Sequence, residues 1–111
     1  MLREYASKIL NGEVRVGGQI FPPVSDRDFW DKVASSKGAA KVIRQAEEKL
    51  NYQWPHMLAT QFMEFERTGN RRAWEIPHFD RRETLVALVV AECIENKGRF
   101  MDDILNGLVL T

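Results

Sequence analysis

The longest apolar run of the chain, Thr84 to Ile94 in HFDRRETLVALVVAECIENKGRFMDD, lies between a charged lead-in and an abruptly polar exit. Within it LVALVVA is apolar around a whole helical circumference, whereas a surface helix keeps one polar face. The pattern predicts a helix covered on several sides, the central member of a helical layer. Asp80 and Glu83 predict its start as a capping-box-like pair, and Asn96 to Gly98 predict its stop.

The remaining periodicities are amphipathic. Leu2, Tyr5, Ala6, Ile9 and Leu10 form one stripe of a short helix that Asn11-Gly12 ends. VRVGGQIF alternates around Gly17-Gly18 and predicts a small β-hairpin near residues 14–21 or an irregular loop. Ser25 is placed to cap the next helix, DRDFWDKVA, with Asp26 and Asp28 in its first turn and Phe29, Trp30 and Val33 on one side. Ala39, Val42, Ile43, Ala46 and Leu50 then make a stripe opposite Lys41, Arg44, Gln45, Glu48 and Lys49, and Trp54-Pro55 is expected to end that helix. PHMLATQFMEFERTG carries Leu58, Phe62 and Phe65 on one face, closed by Thr68-Gly69-Asn70. RRAWEI is expected to be a connector ending before Pro77, and a final helix runs from about Arg99 towards Leu110. Six helical segments and at most one hairpin define an all-α chain in one domain, residues 1–111, without internal repeats.

Charge changes the picture by exclusion. Sixteen Lys and Arg balance sixteen Asp and Glu, so the basic excess of a nucleic-acid binder is missing. The single cysteine, Cys93, lies inside the apolar helix and reads as a small buried hydrophobe. His56 and His78 have no cysteine cluster near them, so no metal site or other cofactor is expected. MLREYASKIL lacks the apolar core of a secretory signal, and Thr84 to Ile94 is about half of the roughly 20 residues that cross a bilayer. A soluble cytoplasmic protein without membrane contact is the expectation.

Few residues offer chemistry. Glu92 is expected at a helix edge, paired with Arg99 or solvated; the competing reading is a cleft carboxylate of raised pKa. Aromatic rings beside Arg and Asn side chains suit sugar faces, hydroxyls and uronates. On that ground Tyr52, Trp54, His56, Asn70, Arg71 and Arg81 are the candidate substrate-binding residues, with Arg67, Arg72, Trp74, His78 and Arg82 nearby in sequence. The plainer reading makes Trp54 and Trp74 hydrophobic seals and the two Arg-Arg pairs solvated or paired with Glu75, Asp80 and Glu83. Asp102 and Asp103 are expected in the first turn of the last helix.

The succession RDFWDKV, AEEKLNYQWPHMLATQFMEFERTGNRRAWE and FDRRETLVALVVAECIENKGRFMDDILNG resembles the amino-terminal region of bacterial heparinase II/III-like polysaccharide lyases, across about residues 27–107. The resemblance implies antiparallel helical hairpins that begin an (α/α) toroid, with the apolar helix as an inner wall. It also implies a parent activity, β-elimination on uronate-containing glycans. That chemistry needs a group neutralising the uronate carboxylate, a base for the C5 proton and an acid for the leaving oxygen. In the family these residues lie in later helices, beyond the matched region, so no catalytic residue is transferred here. The expected partners are a uronate-containing polysaccharide or oligosaccharide, and either a second copy or the remainder of the family fold. Leu105, Leu108, Val109 and Leu110 would then leave an apolar surface to be covered. The alternative is a stand-alone helical interaction or self-association module. A small independent enzyme is the weakest reading, since no nucleophile, metal set or phosphate loop is found.

Overall fold

The computed structural model describes residues 20–110, with Glu4, Ser7 and Asn11 before them. Five α-helices fill these residues: α1 (Arg27–Ala34), α2 (Ala39–Glu47), α3 (Ala59–Thr68), α4 (Arg72–Glu95) and α5 (Met101–Leu110). No strand occurs among the described residues, which agrees with the all-α reading. The stripe at residues 2–10 and most of the hairpin near residues 14–21 lie outside them; Ile20 and Phe21 are exposed.

The cap of α1 is Asp26 and not Ser25: its Oδ1 accepts from the amide of Phe29 at 3.2 Å. A carboxylate satisfies an orphan first-turn amide and also favours the positive end of the helix dipole. Trp30 is the buried anchor of this helix, and its indole N–H donates to the carbonyl of Pro23 at 3.0 Å. Arg27 reaches across to α4 and donates to the carbonyls of Cys93 at 2.8 Å and Ile94 at 2.9 Å. The last carbonyls of a helix have no intrahelical donor, and a cation there is doubly suited to them.

Helix α2 stops at Glu47, well before Trp54-Pro55, and Leu50 is left outside its stripe and exposed. The chain turns through Asn51, which takes a left-handed conformation at φ 58°. The turn lets the Asn51 amide donate to the buried Asp103 of α5 at 3.2 Å. Asp103 therefore holds a tertiary bond in addition to its expected first-turn place. Helix α3 begins later than its stripe suggested, with His56 and Met57 in a non-helical connector. Gln61 accepts from the Leu58 amide at 2.7 Å, the half of a capping box that leucine at the cap leaves open. Gly69, at φ 77°, ends α3 as expected.

The largest departure is α4. RRAWEI is no connector: a single helix of 24 residues runs through Pro77. Asn70 starts it by accepting from the Arg72 amide at 3.1 Å. Proline inside a helix costs roughly 3 kcal/mol, and here the packing of the following turns overrides it. Asp80 and Glu83 consequently lie in the helix interior and do not cap it. Asn96, at φ 53°, ends it where expected.

Among the described helices, α4 packs against each of the other four, and the only further packed pair is α1 with α2. The main core joins Ala46, Leu88, Ala91, Phe100 and Ile104, with Trp54 and Leu85 against it. A second core joins Trp30, Ala39 and Ile94. Coverage of the apolar run is nevertheless one-sided: Leu88 and Ala91 are fully buried, whereas Val86 is 61% and Val89 37% exposed. Four short helices do not supply enough surface to wrap α4 all round.

Trp54 lies close over Gly107 of α5. A Cβ at Gly107 would come within 2.5 Å of the Trp54 ring and 3.0 Å of Leu85. Gly107→Ala is therefore expected to lower stability by about 1–3 kcal/mol, read as an earlier urea midpoint with an unchanged slope.

Candidate functional site

An open groove of about 730 Å³ runs between α2 and α4. Val42 from α2 and Phe79, Val86, Ala87 and Val90 from α4 give it apolar walls, and Gln45, Glu48, Lys49, Asp80, Arg82 and Glu83 bring polar groups to it. Because α4 continues through Pro77, Ile76, Phe79, Glu83, Val86 and Val90 fall at alternating three- and four-residue steps along one face. That periodicity is legible only once the helix is known to be unbroken.

Tyr52 contacts two residues of the groove, Asp80 and Lys49. Its hydroxyl donates to Asp80, whose other oxygen takes Lys49 Nζ at 3.4 Å. The same ammonium lies 4.8 Å from the Tyr52 ring centre. Burial first, and then the Asp80 carboxylate that accepts its proton, push the Tyr52 phenol above its usual range; Thr84 and Arg81 oppose them. A phenol raised in this way is a poor general base at neutral pH.

The six sugar-site candidates do not form one surface. Tyr52 and Trp54 are neighbours, edge to face at 4.9 Å, and Arg81 acts electrostatically on Tyr52. The Trp54 ring lies over Gly107 against the core, half-buried, with its Nε1 buried and without an acceptor. His56 is exposed on the connector. Asn70 and Arg71 sit at the start of α4, about 15 Å of helix away from Arg81. Asn70 caps Arg72, and Arg71 pairs with Glu75 at 3.4 Å.

A second, smaller cleft of about 350 Å³ lies between Phe62, Phe65, Arg71, Trp74 and Glu75. Phe62 meets Trp74 edge to face at 5.6 Å, and Trp74 stacks on His78 at 4.2 Å. His78 in turn meets Phe79 at 5.3 Å, so a line of rings joins this cleft to the groove.

Glu92 follows neither sequence expectation. It is buried and bonds the backbone beyond the helix, accepting from the Gly98 amide at 2.6 Å and the Phe100 amide at 3.3 Å. Arg99 turns elsewhere, to Glu47 at 2.8 Å and to Glu95. Burial, and then the charge of Glu92, raise the Cys93 thiol, so its nucleophilic thiolate is scarce at neutral pH.

Among the described residues no three His, Cys, Asp or Glu side chains converge as a metal set, and no helix is long and apolar enough to cross a membrane. No family model matches the chain, and neither does any curated protein.

Two predictions test these assignments. Glu92→Ala removes a buried acceptor from two backbone amides and is expected to cost about 2–3 kcal/mol, whereas Arg99→Ala, on the exposed side of the same turn, is expected to lower the melting temperature far less, because exposed ion pairs are weak; thermal melts compare them. The Arg99 guanidinium holds Glu95 below the ordinary carboxylate range. The stability this contributes is present above the unfolded value, about 4, and is lost as pH falls through the lower folded value. Glu95→Gln should flatten the acid limb of a stability–pH curve, and an unchanged limb would remove Glu95 from the account.

Proposed function

We propose that the chain is the amino-terminal helical portion of an (α/α) toroid of the heparinase II/III-like polysaccharide lyase kind. In this reading it serves as scaffold and as one wall of a cleft for uronate-containing glycan, without catalytic residues of its own. The observation that carries the reading is the position of α4, packed on every other described helix while an open groove runs along one of its sides. Short connections join α4 to α3 and α5, which both pack on it, and such connections favour the antiparallel hairpins that a toroid repeats. The raised phenol of Tyr52 and the packing of Trp54 against the core support a structural role for these two residues. The cleft wall would then be the groove itself, with Lys49 and Arg82 as the cations for uronate carboxylates.

The test uses the purified chain with heparan-like and alginate-like polymers, followed by the ultraviolet absorbance of unsaturated uronate. No product is expected, while uronate oligosaccharide should shift the amide resonances of residues lining the groove. Sustained elimination would contradict the scaffold role, and unmoved groove amides would remove the cleft wall.

A second reading, a helical association module, is favoured by a different observation. Helix α3 buries none of its residues, and Phe62 and Phe65 are 65% and 57% exposed. Contiguous apolar surface of this extent belongs at an interface.

A further inference from the structure

We infer that the groove between α2 and α4 is an interface between two copies of this chain. In it the exposed ridge of α4 from each copy enters the groove of the other about a two-fold axis. The inference rests on the association reading and names its partner and its surface.

Three observations select a second copy. The first is shape. Groove and ridge share one face of α4: Phe79, Val86, Ala87 and Val90 line the recess, and the outer edge of that wall, Ile76, Phe79 and Val86, is 57%, 50% and 61% exposed. A surface that carries both a hole and a matching knob is what a two-fold interface requires, because each copy presents the same patch to the other. The three- and four-residue steps of Ile76, Phe79, Glu83, Val86 and Val90 are the spacing at which one helix seats its side chains between those of another.

The second observation is charge. A groove for a strongly charged partner has a rim of one sign. This rim carries both, with Lys49 and Arg82 beside Glu48, Asp80 and Glu83. The chain as a whole holds sixteen basic and sixteen acidic side chains, so two copies meet without net repulsion. A mixed rim on a neutral chain complements itself.

The third is area. A stable interface covers about 800 Å² on each partner. The ridge extends along about 20 Å of helix, and the line of rings through His78 and Trp74 continues it to Phe62 and Phe65. Large aromatic side chains bring about 150–250 Å² each when fully covered. The groove alone falls short of that size, so the interface takes in the ridge and the ring line as well.

The test is the mass of the intact chain by light scattering and sedimentation over a wide concentration range, with two single variants. Val86→Glu places a charge on the ridge at a position already open to solvent. Val109→Glu places the same charge on α5, where Val109 is 85% exposed. Circular dichroism and melting temperature close to those of the unchanged chain establish that each variant folds. The expected result is a concentration-dependent dimer whose dissociation constant rises more than tenfold in Val86→Glu and stays within about twofold in Val109→Glu. A dimer that resists Val86→Glu would overturn this interface and leave the association reading standing. A chain that remains monomeric at every concentration would overturn both, and a monomer that binds uronate oligosaccharide through the groove would assign the groove to glycan. Should Val86→Glu melt early, Arg82→Glu, at an exposed rim position, replaces it with the same expected loss of dimer.

Discussion

The carboxylate of Glu92 sits at the end of the most apolar segment and is directed into the turn that follows. A buried carboxylate without a partner is strongly unfavourable, and two backbone amides are among the stronger partners it can find. By holding the amides of Gly98 and Phe100 it fixes the turn between α4 and α5. Phe100, fully buried, is thereby brought into one core with Leu88, Ala91 and Ile104. The contacts of α5 with the rest of the molecule follow from that turn: Asp103 reaches the Asn51 amide, and Gly107 lies under Trp54. The one acid within the apolar run Thr84 to Ile94 thus has a structural role.

From the same helix comes the groove. Helix α4 is apolar on more sides than its four neighbours cover, and the uncovered side carries Ile76, Phe79 and Val86. On its N-terminal half the helix meets α3, whose own aromatic face is open. At the other end Arg27 from α1 closes the final carbonyls. The well-buried positions of α4 therefore gather between Thr84 and Ile94, and exposed apolar side chains remain on α3, along the outer side of α4 and on α5. Both functional readings draw on that asymmetry. A toroid wall and an association face each require a firm core on one side of a helix and an unfilled apolar side on the other.

Much of the helical layout was legible because it rests on local chemistry. Gly69 and Asn96 end helices by adopting left-handed conformations that their residue types favour, and the stripe Ala39, Val42, Ile43 and Ala46 does face inward. The errors fall where tertiary packing overrides a local rule. Pro77 signals a boundary in isolation, and Asp80 with Glu83 imitates a start, yet the helix runs through all three. Leu50 continues a stripe on paper, but the chain leaves the helix after Glu47 so that Asn51 can meet Asp103. The groove was hidden for the same reason, since its α4 wall becomes periodic only when the break at Pro77 is removed. For Tyr52 and Trp54 nothing local reveals that Asp80 and Gly107, each far along the chain, occupy their polar and apolar faces.

The most direct test of this account is amide hydrogen exchange at Gly98 and Phe100, resolved residue by residue and compared with Leu88 in α4. These two amides lie outside the regular helices, so local structure alone would let them exchange within the range of an open loop. The account predicts protection approaching that of Leu88, because the buried Glu92 carboxylate holds both. Exchange at loop rates, with Leu88 still protected, would show that Glu92 does not fix the turn and would contradict the order of dependence drawn here.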